Sequence, residues 1–171
     1  MIIEKRESPN YYSRGKYRPE ACVIHITEGN MPGTLSWITH KESKASYHYL
    51  IDKTGKIWNV VNEINAAWHA GLIVKPIWEF LKDKKINPNL YTIGLAFEGF
   101  GDKDITAEQY YAGQELIEDI CQRNKIEKNL TKIIPHRWIN GGKTCPGLVN
   151  IERLVNVKFI TCPSCKKVFK I

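Results

Sequence analysis

The chain has 171 residues, of which 43% are hydrophobic and 25% are charged, and its formal net charge is +7. This length and composition are typical of one globular domain with a short appendage, and they exclude a disordered, fibrous or coiled-coil protein. The longest uncharged apolar run lies around residues 21–27, far short of the ~20 residues that a helix needs to cross a bilayer.

The predicted elements alternate between strands and helices along the chain. Residues 20–27 are rich in β-branched side chains and end before Glu-Gly-Asn, which predicts a buried strand. A Lys-Thr-Gly turn at 53–55 predicts a hairpin, and the capping box at 106–109 opens a helix. The remaining pattern predicts helices at 33–44, 76–84 and 148–156, hairpin strands at 46–52 and 56–61, and strands at 91–97 and 132–136. The expected fold class is therefore mixed α/β, with a central sheet flanked by helices.

Charge divides the chain into a body, residues 1–156, and a tail, residues 157–171, which contains four lysines and no acidic residue. Such a basic balance suits an anionic polymer, for example nucleic acid or a charged cell wall. The first residues show no signal peptide, so we expect synthesis in the cytoplasm and release by another protein. Five cysteines in such a chain, at positions 22, 121, 145, 162 and 165, indicate reduced thiols or metal ligands.

Two histidines and one cysteine stand where a metal site can form. His25 lies late in the first predicted strand, and His136 ends the last one. Strand ends are places where a rigid sheet meets an open cleft. Cys145 follows in the loop Gly-Gly-Lys-Thr-Cys-Pro-Gly, which can bring its thiol to the same point. Two imidazoles and one thiolate are typical of a Zn²⁺ site with one position open for water, the pattern of a catalytic zinc.

Five segments of the sequence follow one another in the order of a known family. They are Val-Ile-His-Ile-Thr (23–27), Ser-Tyr-His-Tyr-Leu-Ile-Asp (46–52), Ala-Trp-His-Ala-Gly (67–71), Thr-Ile-Gly-Leu-Ala-Phe-Glu (92–98), and Pro-His-Arg with Lys-Thr-Cys-Pro-Gly (135–147). Over roughly residues 18–155 the chain resembles the zinc-dependent N-acetylmuramoyl-L-alanine amidases of the amidase-2 family, in the superfamily of phage lysozyme-type amidases and peptidoglycan recognition proteins. The resemblance implies that family's fold, a zinc cofactor and a phage or prophage endolysin; a bacterial autolysin is the alternative source.

The resemblance also implies roles for individual residues. It places the zinc ligands at His25, His136 and Cys145, and the catalytic residues at Tyr47 and Lys143. The implied reaction is hydrolysis of the amide bond between N-acetylmuramic acid and L-alanine in peptidoglycan, which lyses the bacterial wall.

The sequence departs from part of the family at Ala96. Related cytoplasmic enzymes that recycle wall fragments carry a catalytic glutamate at that position and an aspartate in place of Cys145. Both differences favour a lysin that attacks intact wall. Glu98 lies two residues farther along the same strand and is the fallback candidate for an acid or base.

Four residues near these segments are expected to bind substrate: Thr27, Trp68, His69 and Arg137. Trp68 offers an apolar face to a sugar or lactyl group. Trp68 has packing in the core as its alternative role. Arg137 has a hydrogen bond that supports the metal ligands as its alternative role. His48 points away from Tyr47 if the strand alternates, so we expect His48, like His40, to be structural.

Two other functions compete with the amidase. The first is a non-catalytic module that binds peptidoglycan, since some proteins of this fold bind wall fragments without cutting them. The second is a zinc-ribbon protein that binds nucleic acid, although the pair Cys162 and Cys165 supplies only two of the four ligands a ribbon needs.

We expect peptidoglycan as partner, with no nucleic acid and no integral membrane contact. A homodimer that joins the two cysteine pairs through zinc is a further expectation, and an exposed reduced pair is its alternative.

Overall fold

The computed structural model describes residues 2–82 and 86–156, together with the backbone of two short strands near the C-terminus. In chain order the strands are β1 (Ile3–Lys5), β2 (Tyr11–Ser13), β3 (Ala21–Ile26), β4 (Tyr49–Ile51), β5 (Ile57–Asn59), β6 (Asn65–Ala67), β7 (Thr92–Phe97), β8 (Ile133–Pro135), β9 (Phe159–Thr161) and β10 (Val168–Lys170). The α-helices are α1 (Met31–Ile38), α2 (Ala107–Asn124) and α3 (Ile151–Asn156). Within the described ranges, no helix is long and apolar enough to cross a membrane.

Six strands form one mixed sheet in the order β1-β5-β4-β7-β3-β8. β3 lies between β7 and β8 and runs parallel to both, whereas β4 and β5 pair antiparallel. Because parallel strands end at the same edge of a sheet, the carboxyl ends of β3, β7 and β8 lie side by side. β2 pairs with β6 in a separate two-stranded sheet. The predicted mixed α/β class with a central sheet is confirmed.

Strand β3 is buried along its whole length, and its side chains alternate between two layers. One set packs in the core cluster that includes the apolar face of α2: Cys22, Ile24 and Ile26. The other set packs in a second cluster with Trp78 and Ile139: Ala21 and Val23. His25 continues this second set, so its imidazole lies on the side of the sheet opposite α2. Cys121 is buried in the α2 layer, as its helical position predicts.

Several local signals produce the predicted elements. The hairpin forms as β4 and β5, and the strands predicted at 20–27, 91–97 and 132–136 appear as β3, β7 and β8. The capping box is complete, because the Gln109 amide donates to the Thr106 hydroxyl at 3.1 Å and the Thr106 amide donates to the Gln109 side chain at 3.0 Å. The hairpin and the capping box need only contacts close in sequence, which a sequence pattern records.

The predicted helix at 76–84 is wrong over its described residues, which hold only a 3₁₀ turn at Glu79–Leu81. The amides of Ile77 and Trp78 both donate to the Trp138 carbonyl, so their backbone is tied to a distant segment. The Trp78 side chain is buried and stacks on Phe80 with ring centroids 4.9 Å apart. Long-range contacts therefore override the helical spacing of this segment.

Two other helices differ from their predicted bounds, and five strands were not predicted: β1, β2, β6, β9 and β10. The helix predicted at 33–44 runs instead from Met31 to Ile38, because Asn30 caps it by accepting from the Gly33 amide at 2.9 Å. The closing helix, predicted at 148–156, begins only at Ile151. β1, β2 and β6 have three residues each and pair with partners more than fifty residues away, so local patterns do not reveal them.

Near the C-terminus, β9 and β10 pair antiparallel. Cys162 and Cys165 lie outside the described residues, and so does the site that they were expected to form. The homodimer through these cysteines, and the division into residues 1–156 and 157–171, stay predictions.

Candidate metal centre

Three side chains that can bind a metal come together at the shared edge of the central strands. His25 lies near the end of β3, His136 directly follows β8, and Cys145 lies in the loop before α3. One ligand atom from each of these residues lies within 4.8 Å of the other two. The pairing of β3 with β8 explains the closeness of the histidines, since their ends are adjacent in the sheet.

The hydrogen bonds decide which ring nitrogens face the centre. His25 Nε2 is 3.1 Å from His69 Nδ1, and His136 Nε2 is 3.0 Å from the Ala70 carbonyl oxygen. The Nδ1 atom of each ligand is therefore left for a metal, and His25 Nδ1 lies 3.8 Å from Cys145 Sγ. Two imidazoles and a thiolate with occupied outer nitrogens match the donor set and supporting shell of a zinc site.

Backbone hydrogen bonds fix the loop that carries Cys145. The Ile26 amide donates to Cys145 Sγ at 3.4 Å, and the Arg137 amide donates to the Cys145 carbonyl at 2.9 Å. The Arg137 guanidinium adds longer hydrogen bonds to the carbonyls of Thr144 and Gly147, at 3.4 and 3.3 Å. Arg137 therefore ties the loop to the end of β8, which is the alternative that sequence left open for it.

Burial sets the charge state of the three side chains. It lowers the pKa of His25 well below its ordinary value, and the neighbouring His136 and His48 lower that pKa further. Burial also lowers the pKa of His136, against a hydrogen bond to Ala70 that raises it. It raises the pKa of the Cys145 thiol to about 11. Both imidazoles are neutral at pH 7, as metal binding requires, while the thiol must release its proton when a metal binds.

Tyr47 and Lys143 both lie near the three side chains. The Tyr47 ring centroid is 5.2 Å from that of His25. Burial raises the pKa of Tyr47, and the nearby Cys145 and Glu28 raise it further, so the phenol keeps its proton at neutral pH. Lys143 is exposed, and its positive charge contributes to lowering the pKa of His136 and opposes the rise in the pKa of Cys145.

The four expected substrate residues occupy different kinds of position. The Thr27 hydroxyl donates to the Gly29 carbonyl at 2.9 Å and accepts from the Gly99 amide at 3.2 Å, so it is used by the turn. Trp68 is half-buried, and its Nε1 is buried without a hydrogen-bond partner among the described residues. His69 is 7% exposed, and its ring nitrogens lie within hydrogen-bond distance of His25 and of Thr92, so its expected role in binding substrate stays a prediction.

Glu98 and Ala96 lie on the next strand. One Glu98 carboxylate oxygen accepts from the Met31 amide at 3.0 Å and the other accepts from the Lys53 amide at 3.0 Å. Both oxygens therefore hold backbone, which makes Glu98 a support for the start of α1 rather than a general acid or base. Ala96 is fully buried and pairs in register with His25, so no acid extends from that position toward the ligands.

The remaining histidines support the fold. His48 is fully buried and accepts from the Gly94 amide at 2.9 Å, while its Nε2 lies 2.8 Å from the Arg14 guanidinium. Burial and the Arg14 charge lower the pKa of His48 to about 3. His40 is exposed and contacts the Ser36 carbonyl.

A groove beside the centre contains residues that the sequence analysis missed. It has a volume of about 420 Å³, and its lining includes Glu28, Trp37 and Tyr47. The side chain of Trp37, on α1, is exposed in this groove, and the residue is 58% exposed. No motif marks Trp37, because its place in the groove comes only from the position of α1 next to Tyr47.

Comparisons with known proteins identify the family and the fold. Residues 15–148 match the Amidase_2 family, described as N-acetylmuramoyl-L-alanine amidase. The chain is 30% identical over 122 residues to N-acetylmuramoyl-L-alanine amidase A of Achromobacter lyticus. This match covers 70% of this chain and 60% of the relative. The chain is 33% identical over 98 residues to the 1,6-anhydro-N-acetylmuramyl-L-alanine amidase AmpD of Haemophilus influenzae, which covers 57% of this chain and 46% of that protein.

The chain thus spans about half of the length of these curated relatives. Among solved structures, the N-acetylmuramoyl-L-alanine amidase LysC from Clostridium intestinale superposes with a TM-score of 0.67 at 23% identity, covering 92% of this chain and 99% of that one. This likeness shows a shared fold. With most of its length matched by the family, the chain belongs to the N-acetylmuramoyl-L-alanine amidases.

Proposed function

We propose that the protein is a zinc-dependent amidase that hydrolyses the bond between N-acetylmuramic acid and L-alanine in peptidoglycan. The observation that carries the proposal is the cluster of His25, His136 and Cys145, with ligand atoms within 4.8 Å and both outer ring nitrogens occupied. Family membership supports the same reaction, because the matched residues 15–148 contain all three ligands.

His25, His136 and Cys145 would hold the zinc through two Nδ1 atoms and one thiolate. When bound at a site of this kind, zinc activates a water molecule as nucleophile and polarises the scissile carbonyl. Attack by water on that carbonyl breaks the amide C–N bond, giving a lactyl carboxylate and the free amino group of L-alanine. Side chains around the ligands would stabilise the developing charge and transfer the protons.

Lys143 and Tyr47 are suited to those tasks. Negative charge develops on the carbonyl oxygen during attack, and the Lys143 ammonium offers a positive charge on the exposed side of the centre. The Tyr47 phenol keeps its proton at neutral pH, so it can donate a hydrogen bond to substrate or water. These two groups are also the candidates to hand a proton to the leaving nitrogen.

The groove along α1 is suited to the part of the substrate next to the scissile bond. It begins at Tyr47, beside His25, and presents the exposed face of Trp37. A flat indole face packs well on the apolar face of a sugar ring or on a peptide side chain. A wall fragment bound at the metal centre would therefore extend away from the ligands along this groove.

A metal and product analysis tests the proposal. The purified protein is expected to hold zinc, and Cys145→Ser is expected to lose metal and hydrolysis together, because a hydroxyl is a much poorer zinc ligand than a thiolate. Mass analysis of digested bacterial wall is expected to show intact peptides released from intact glycan. Binding to wall without any such release would instead support the non-catalytic peptidoglycan-binding module.

The proposal extends to the organisation and setting of the protein. Residues 1–156 would form the catalytic domain, and the basic residues 157–171 would form a tail that favours the anionic wall. Action on intact wall, as in a phage or prophage endolysin, is supported by Cys145 and Ala96, which differ from the residues of the recycling enzymes.

A zinc-linked homodimer through Cys162 and Cys165 is a separate proposal that rests on their spacing, because structural zinc takes four ligands and one tail supplies two. Light scattering with and without chelator, on the wild type and on Cys162→Ser/Cys165→Ser, tests it. A monomeric wild type would contradict it.

A further inference from the structure

We propose that His69 and Thr92 are positioning residues which fix the orientation and tautomer of the ligand His25, and through it the affinity for zinc. The inference deepens the proposed function and rests on its zinc site. It assigns His69 to the support of the metal centre, where sequence had placed it in the substrate cleft.

Three hydrogen bonds connect His25 to the backbone through two side chains. His25 Nε2 lies 3.1 Å from His69 Nδ1, and His69 Nε2 lies 3.2 Å from the Thr92 hydroxyl oxygen. The same hydroxyl donates to the Pro88 carbonyl at 2.7 Å. His25, His69 and Thr92 are 1%, 7% and 0% exposed, so water has little access to compete for these bonds.

The direction of each bond follows from the proton count. The Thr92 hydroxyl has one proton, and the Pro88 carbonyl at 2.7 Å can only accept, so the proton lies between them. The Thr92 oxygen then accepts from His69 Nε2, which must carry the proton of a neutral imidazole. His69 Nδ1 is left with a lone pair and accepts from the Nε2–H of His25.

This arrangement leaves His25 Nδ1 without a proton, on the side where Cys145 Sγ lies 3.8 Å away. A metal needs that lone pair in that direction. A ligand histidine without such a partner can turn about its side-chain bonds or place its proton on Nδ1. Supporting partners of this kind typically contribute 10- to 100-fold to metal affinity.

The hydrogen bonds from His25 through His69 to Thr92 form a relay. A buried arginine, Arg14, holds the Thr92 end of this relay. The Arg14 guanidinium donates to the carbonyls of Asn89, Leu90 and Thr92 at 2.8–2.9 Å. Asn89 in turn accepts from the amides of His69 and Ala70, at 3.2 and 2.8 Å. Arg14 and Asn89 therefore join the backbone of His69 to the segment 89–92, which carries Thr92.

A matched pair of variants separates the hydrogen bond from the shape of the side chain. Asparagine and leucine have nearly the same size, and only asparagine offers an acceptor atom at the place of His69 Nδ1. Zinc affinity is measured by competition with a chelator of known affinity, on the metal-free full-length protein. His69→Leu is expected to lose roughly 10- to 100-fold in zinc affinity, whereas His69→Asn is expected to recover most of the loss. His40→Leu, at an exposed histidine, is the control and is expected to keep wild-type affinity.

Thr92→Val keeps the shape of Thr92 and removes the hydroxyl, and it is expected to weaken zinc in the same direction by a smaller factor. It also tests the relay if His69→Leu does not fold, as judged from circular dichroism. Equal affinity in wild type and in the folded variants would overturn the inference, and so would an Asn variant as weak as the Leu variant. A wild type that binds no zinc would overturn the proposed function as well, so the two failures are distinguishable.

Discussion

At His25 and His136 the ring nitrogen that points away from the centre is bonded to protein, in one case to His69 and in the other to the Ala70 carbonyl. The meeting of His25, His136 and Cys145 could be predicted, because strand-end histidines and a glycine-rich cysteine loop are visible in the sequence. The contacts of His69 could not be predicted, because its partners His25 and Thr92 lie 44 and 23 positions away and no local pattern connects them.

The roles of Lys143 and Tyr47 are tested by variants that keep the metal. Lys143→Ala is expected to slow hydrolysis of wall about 10²-fold or more through kcat, because it removes a charge that faces the developing oxyanion. Tyr47→Phe is expected to cost less, since it removes a hydrogen bond and no charge. Zinc content and thermal stability are expected to stay unchanged in both.

The control for these variants is Lys5→Ala, in the edge strand β1 at the far side of the sheet from β8. It is expected to keep wild-type turnover, which excludes a general effect of net charge on binding to the wall. Near-normal kcat in Lys143→Ala would contradict the proposed role of that residue.

At the scale of elements, the sequence predicts best where one element is formed by its own residues. The hairpin of β4 and β5 and the capping box of α2 both depend on neighbours within a few positions. The segment 76–82 depends instead on the Trp138 carbonyl and on burial of Trp78, so its helical spacing misleads. β7 was predicted as a strand, but its local pattern does not show that a Cβ atom at position 94 would meet the ring of His69.

Gly94→Ala is expected to disturb the metal centre through His69. A Cβ atom at position 94 would lie 2.5–2.8 Å from three ring atoms of His69, closer than packed side chains approach. Displacing a ring in a full core costs typically 1–3 kcal/mol of unfolding free energy, and here it also breaks the bond to His25. Denaturant unfolding of the metal-free protein and chelator competition for zinc measure the two effects.

Gly29→Ala is the matched control, because a Cβ atom there meets only the Thr34 hydroxyl at an ordinary 3.7 Å. Its unfolding free energy is expected to stay within about 0.5 kcal/mol of the wild type. Wild-type stability and zinc affinity in Gly94→Ala would show that the His69 ring can shift without consequence.

At the scale of the whole molecule, an ion pair between Glu63 and Arg123 connects the loop before β6 to α2. The Glu63 carboxylate, before β6, accepts from the Tyr49 hydroxyl at 2.7 Å and from the Asn124 side chain at 2.8 Å, and it pairs with Arg123 at the end of α2. Its side chain is 15% exposed and that of Arg123 is 38% exposed. Burial alone raises the pKa of Glu63, but the hydrogen bonds from Arg123, Asn124 and Tyr49 outweigh burial, so its pKa is lowered.

This lowered pKa predicts how stability depends on pH. A carboxyl group whose pKa is lower in the folded state stabilises the fold fully above its unfolded pKa of about 4.5, and it loses that contribution as pH falls through the folded value. Glu63→Gln keeps the shape of the side chain and removes the charge. At pH 7 it is expected to lower the unfolding free energy by roughly 1 kcal/mol, because Arg123 is partly screened by solvent. Denaturant unfolding of both proteins from pH 7 to pH 3 measures the difference, which is expected to shrink below pH 4.5.

Glu79→Gln, at an exposed ion pair, is the control and is expected to have no measurable effect at either pH. A Glu63→Gln difference that stays constant down to pH 3 would mean that the charge of Glu63 does not tie α2 to the sheet.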